Sequence, residues 1–195
     1  FLNDAVLEPY GGAVFGMSVC ATTSLNVLIA LGFFAGLGLS GFWLIERFGN
    51  IRTARVGALL ASAALLLMLG AGAEISIPVL RAAVALFGLS LGVCMNACLS
   101  LMFSFVDPGR TGFLLGIWGA GYAYSCGLAT ISGGGLLTLF QSLNGGDLFG
   151  AYSGVFALQI CCFLGAALMT RQLDVAEFRH RVKTRFNDVI ELAVD

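Results

Sequence analysis

The stretch SLNVLIALGFFAGLGLSGFWL, residues 24–44, runs for 21 positions without a charge. At 1.5 Å rise per residue, a helix of that length crosses the roughly 30 Å hydrocarbon core of a bilayer with its backbone groups bonded internally. The same reading extends along the chain. Residues 56–73 give 18 uncharged positions, 78–105 carry only Arg81 near their start, 111–140 are uncharged, and 148–169 are uncharged for 22. Five complete spans are therefore predicted. Composition agrees, because 58% hydrophobic and 11% charged residues with a mean hydropathy of +0.94 are far from the balance of a soluble domain, about 25% charged. The expected fold class is an all-α membrane protein, a helical transmembrane bundle.

Charge gives the orientation. Arg47, Arg52 and Arg55 fall between the first and second spans, Arg110 between the third and fourth, and Arg171, Arg179, Arg181, Lys183 and Arg185 after the fifth. The alternate gaps offer Glu74 and Asp147 but no cation. Short cytoplasmic loops retain Lys and Arg, so the cation-bearing gaps and the C-terminus are expected to face the cytoplasm. Arg81 is the exception, and its long stem can snorkel to the outer interface.

Three regions follow. Residues 1–23 contain Asp4, Glu8, Pro9, Gly11 and Gly12 and are read as the end of a broken transmembrane helix and an outer turn. Phe1 is preceded by no initiator Met, and neither a basic n-region nor a cleavage site is seen, so a gene product longer at its N-terminus is expected. Residues 24–170 form the five-helix bundle. In residues 171–195, Val175, Phe178, Val182, Phe186, Val189 and Ala193 recur at three- and four-residue steps among cations and acids. That pattern predicts an amphipathic helix along the cytoplasmic interface, with its cations toward anionic lipid; docking of a partner is the alternative.

Glycine and cysteine read mainly as packing. Gly32 and Gly36 with Ser40, Gly88 and Gly92, Gly112 and Gly116 with Ala120, and Gly150 and Gly154 lie four apart, the spacing that lets membrane helices approach closely. Gly133, Gly134 and Gly135 are a candidate hinge or close-contact point. Cys94 and Cys98 share a helix face without a His or carboxylate at ligand spacing, and adjacent Cys161 and Cys162 point to different faces. No metal site is assigned, and the cysteines serve as polarizable packing.

Between the first two spans stand Gly41, Glu46, Arg47, Gly49 and Arg52. A glycine that ends a helix, an acid and a base that cap or pair, and a second glycine that permits a tight turn suit a loop of this kind. The pattern resembles the loop signature of the major facilitator superfamily, with four rather than three residues between Gly41 and the acid, Glu for Asp, and one Arg for the basic pair.

The N-terminal segment carries a more specific likeness. Asp4, Leu7, Glu8, Pro9, Tyr10, Gly11 and Gly12, followed by Phe15, Gly16, Met17, Ser18 and Val19, resemble the DxxLEPYGGxxFGMSV stretch of the bacteriochlorophyll delivery (PucC/LhaA) family, a branch of that superfamily. The resemblance is densest through about residue 44. It implies the C-terminal six-helix half of a major facilitator fold, with its first helix incomplete. It also implies a membrane assembly factor for bacterial light-harvesting complexes, which holds antenna polypeptides, delivers bacteriochlorophyll, or does both. Its partners would be antenna polypeptides or a reaction-centre antenna complex, and membrane lipids, with no nucleic acid. Bacteriochlorophyll would be cargo, with no covalently bound cofactor. The location implied is the bacterial inner, photosynthetic intracytoplasmic membrane.

Asp4 and Glu8 share a helix face, and acids at membrane depth are costly enough to call for a role. Pro9 removes a donor and the following glycines permit a sharp turn, so Glu8 is expected at a helix break beside Tyr10. It is then either an oxygen ligand to the magnesium of a chlorin or a capping group that satisfies the helix end. Asp4, Glu8, Pro9, Tyr10, Gly11, Gly12 and Asn96 are the candidate pigment- or partner-binding residues. Asn96 also suits an interhelical hydrogen bond, and Trp43, Trp118, Tyr122 and Tyr124 suit a flat macrocycle or the membrane interface. The single histidine, His180, lies in the tail. With no His–carboxylate cluster, Ser–His pair or phosphate loop in the helices, an enzyme is not expected. A secondary transporter of an amphiphilic or lipid-like molecule is the alternative function.

Overall fold

The computed structural model describes residues 2–104 and 111–170, and every regular element there is helical. Six helices follow in order: α1 (Leu2–Phe15), α2 (Val19–Phe48), α3 (Asn50–Glu74), α4 (Ile77–Ser104), α5 (Thr111–Leu143) and α6 (Leu148–Met169). Helices α2 to α6 are long and apolar enough to cross a membrane. The protein is a multi-pass all-α membrane bundle. The 14 described residues of α1 extend about 21 Å. The five predicted spans are the five found, the first two longer at both ends and the fifth unchanged. The first starts at Val19 rather than Ser24 and runs past Glu46 and Arg47, because the polar end of a span can extend to the water interface.

Two helix breaks lie elsewhere than expected. The break anticipated at Glu8 to Gly12 is absent, and α1 continues through Pro9. Proline forfeits one backbone bond but already has a helical φ. The turn comes at Gly16, whose φ of 62° is left-handed; there the Gly16 and Met17 N–H groups donate to the carbonyls of Gly12 (3.1 Å) and Gly11 (3.2 Å). Gly41 likewise does not end α2. It sits in a wide π-turn, Ser40–Leu44, and the chain turns at Gly49, with φ 78°. Helix α5 passes through the triple glycine 133–135 unbroken.

Helix α4 is the centre of the bundle, packed against α2 on one side and α3 on the other. The α2–α4 contact is a reciprocal glycine interlock. A Cβ on Gly36 would stand 2.1 Å from the Leu89 carbonyl oxygen, and one on Gly92 would stand 2.1 Å from that of Phe33. Gly32 faces the Ala85 backbone and Gly88 the Ile29 backbone in the same way. Bare Cα atoms therefore let two backbones touch, which gives dispersion contact where apolar side chains gain nothing from leaving lipid. Gly57 of α3 receives Cys94 in a similar contact, and the Cys94 thiol donates to the Ala54 carbonyl at 3.5 Å. Gly154 of α6 accepts the Phe140 ring of α5. The repeat at Gly112 and Gly116 differs, for a Cβ at either would meet nothing within 4 Å. That face of α5 has no partner among the described residues, so its spacing does not serve packing within them.

Candidate functional site

Helix α1 has two faces with opposite chemistry. Val6, Leu7, Tyr10 and Gly11 are buried, the one-sided spacing of a helix laid against a core. The Tyr10 hydroxyl donates to the Met68 carbonyl of α3 at 2.9 Å. Its ring meets Phe15, Tyr152 and Phe156 edge to face, with centroids 5.5, 5.2 and 4.9 Å away. Gly72 makes room, because a Cβ there would lie 2.1 Å from the Tyr10 hydroxyl. Gly11 faces α2, where a Cβ would press on Thr22 at 3.0 Å. Tyr10 and Gly11 thus hold α1 against the bundle.

Glu8 points the other way, half-buried beside exposed Pro9. Its Oε1 accepts a 2.6 Å hydrogen bond from Nδ2 of Asn26 on α2. Glu8 precedes the end of α1 by seven residues and Asn26 follows the start of α2 by seven, so each lies about 10 Å in from the hairpin turn. A carboxyl and a carboxamide at that depth satisfy each other where hydrocarbon cannot. Asn26 was overlooked by sequence reasoning, which took residues 24–44 as a plain apolar span. The available signal was an amide in an otherwise apolar window. Asn26 opens a surface trough of about 280 Å³ lined by Ile29, Ala30, Phe33 and Phe34 as well.

The remaining candidates are dispersed. Asp4 lies on α1 one turn before Glu8, and its side chain is outside the described residues. A Cβ on Gly12 would meet nothing within 4 Å. Asn96 of α4 donates to Ser40 Oγ at 2.8 Å and to the Leu37 carbonyl at 3.3 Å, where α2 widens into its π-turn. It is an interhelical tie, about 16 Å further along α2 than Asn26, and is not gathered with Glu8. In the loop signature, Arg47 stacks over Trp43 at 5.5 Å, and Trp43 meets Phe48 edge to face. Glu46 and Arg52 are exposed. Arg55 at the start of α3 reaches Thr170 Oγ1 after α6 at 3.5 Å, so those two helix ends share one side of the bundle. Trp118, Tyr122 and Tyr124 lie on the exposed first half of α5. Arg110, the amphipathic tail and His180 lie outside the described residues.

No group of three His, Cys, Asp or Glu stands together among the described residues. Were a magnesium-bearing ligand to bind here, a carboxylate oxygen would suit the metal as a hard donor. Glu8 has one oxygen fixed by Asn26; among the described residues no bond to the other is seen.

A family model described as PUCC protein matches residues 1–178. Protein PucC of Cereibacter sphaeroides is 32% identical over 168 residues, which cover 81% of this chain and 35% of that protein. A Rhodobacter capsulatus protein named Bacteriochlorophyll synthase 44.5 kDa chain is 32% identical over 193 residues, 94% of this chain and 44% of that one. Protein PucC of Rhodobacter capsulatus is 32% identical over 167 residues, again 81% and 35%. The chain spans between 35% and 44% of the length of these curated relatives. No solved structure matches.

Proposed function

This chain belongs to the PUCC protein family, and from that membership we propose that it acts in a membrane assembly factor for bacterial light-harvesting complexes. It holds antenna polypeptides, delivers bacteriochlorophyll to them, or does both, without catalysing a reaction. The observation that carries this reading is the family match over residues 1–178, and the Glu8–Asn26 pair, a 2.6 Å acid–amide contact on the flank of a membrane hairpin, is the place proposed for the cargo. One Glu8 oxygen is occupied by Asn26, and the other is a hard donor for the magnesium of a chlorin. Tyr10, Gly11 and the Met68 carbonyl keep α1 in register, so the acid is presented from a fixed backbone rather than a loop. The bacteriochlorophyll in one relative's name supports a chlorin as the cargo.

The cation-bearing ends of α2 and α3 face the cytoplasm in this reading, as does the C-terminus. Glu8 then sits toward the outer leaflet of a bacterial inner, photosynthetic intracytoplasmic membrane. The six helices correspond to the C-terminal half of a major facilitator fold.

Purification from photosynthetic membranes in mild detergent, followed by an absorption spectrum and mass analysis, tests the function. Co-purifying chlorin or antenna polypeptide is the expected result. Protein that carries neither, yet moves an amphiphilic solute across vesicles, would replace this reading with a secondary transporter.

A further inference from the structure

Helices α2 and α3 are both gripped by α4, so the chain that joins them has fixed ends. On one side Gly36 and Gly92 bring α2 and α4 backbone to backbone, and on the other a Cβ on Gly57 of α3 would lie 2.9 Å from the Cys94 nitrogen. The Asn96 amide adds a tie further along α2, donating to Ser40 Oγ at 2.8 Å and to the Leu37 carbonyl at 3.3 Å. Residues up to Ser40 cannot rotate without breaking that grip. The residue count beyond Ser40 must therefore fit the place where α3 begins.

The wide turn starts at the residue so tied. The Ile45 N–H donates to the Ser40 carbonyl, five residues back, where an α-helix bonds four back. Such a turn takes up one residue more than an α turn. Gly41 leaves room for the tie, since a Cβ there would stand 3.2 Å from Asn96 Nδ2.

Angles show what the extra residue does. At about 100° per residue in an unbroken α-helix, Gly41 and Glu46, five apart, would stand about 140° from each other. Across a turn that takes up one residue they are separated as residues four apart are, by about 40°. Trp43 reports the widened arc, because it meets both Arg47, four residues on at 5.5 Å, and Phe48, five on at 6.3 Å. Between Gly41 and Glu46 the chain also has one residue more than the superfamily loop signature.

We infer that the Ser40–Leu44 turn is a register-correcting device: it absorbs this one extra residue, and Asn96 is the positioning residue that fixes where it forms. Glu46, Arg47 and the turn at Gly49 then keep the face from which α3 can return onto α4. The inference is independent of any cargo.

Two deletions in the detergent-solubilised protein test it. Phe42 is 86% exposed and Phe34 69%, so neither deletion removes a core side chain. Deleting Phe42 takes out the extra residue. The melting midpoint should stay within about 4 °C of the unaltered chain, and amide exchange across residues 43–48 should slow about three- to tenfold as the turn becomes regular α-helix. Deleting Phe34, between Gly32 and Gly36, puts the glycine interlock out of register and should lower the midpoint by about 10 °C or more, or prevent folding. Asn96→Leu should speed the same exchange about three- to tenfold in the unaltered chain, but change it less than about twofold in the chain lacking Phe42, which has no wide turn to hold. Equal midpoints for the two deletions, or exchange that is unchanged or faster without Phe42, would overturn the inference. Equal acceleration by Asn96→Leu in both chains would overturn the role given to Asn96.

Discussion

Gly92→Ala is expected to destabilise the bundle by about 2–3 kcal/mol, the upper part of the range for overpacking a tight contact. The new methyl would lie 2.1 Å from the Phe33 carbonyl oxygen and 2.9 Å from the Leu37 nitrogen. Both are backbone atoms, so no side chain can swing aside; α2 and α4 must separate. Gly36→Ala should act alike from the opposite side of the contact, where the Leu89 carbonyl oxygen is 2.1 Å away. Gly116→Ala is the control. It has the same four-residue spacing but open space around it, so it should be neutral or gain up to about 1 kcal/mol from helix propensity. Thermal midpoints in detergent separate the outcomes, at roughly 2–4 °C per kcal/mol for a chain of this size. Equal tolerance at Gly92 and Gly116 would mean that α2 and α4 do not meet backbone to backbone.

The second large effect is expected at Tyr10. Its side chain is fully buried among three aromatic rings, and Tyr10→Ala should cost about 3–5 kcal/mol by the loss of packing and the cavity left behind. Tyr10→Phe keeps the ring and removes only the hydrogen bond to Met68, so about 1 kcal/mol is expected. Binding of pigment or antenna should follow the folded fraction in both variants. A Tyr10→Ala protein that melts normally yet loses its cargo would make Tyr10 a ligand contact instead of a clamp.

The spans and their sequence order were legible because a hydrocarbon solvent leaves little latitude: uncharged runs must be helices of a fixed minimum length. The glycine pairs were legible as close contacts, but not which ones. Gly88 and Gly92 find backbone partners on α2, whereas Gly112 and Gly116, identically spaced, find none among the described residues. Spacing reports that a helix can be approached and is silent about what approaches it. Proline and glycine misled in α1 and at Gly41 because a helix already packed on its neighbours tolerates one missing bond or one absent Cβ. The left-handed positions Gly16 and Gly49 carry the turns. In the LEPYGG segment the residue types marked candidates but did not sort them by face. Burial of Tyr10 depends on where α3 and α6 lie, and burial of Gly11 and half-exposure of Glu8 on where α2 lies. Asn26 was hidden for a related reason, since a lone amide 18 residues away becomes a partner only when the hairpin closes.

Glu8→Gln tests the central claim most directly. Glutamine has the same shape and can still accept from Asn26, so the melting midpoint should stay within about 1–2 °C, while the acid that would ligate magnesium is gone. Bound chlorin or antenna polypeptide per mole of purified protein should fall by about tenfold, corresponding to roughly 1.4 kcal/mol. Cargo retained at the unaltered level by a normally folded Glu8→Gln protein would contradict the account.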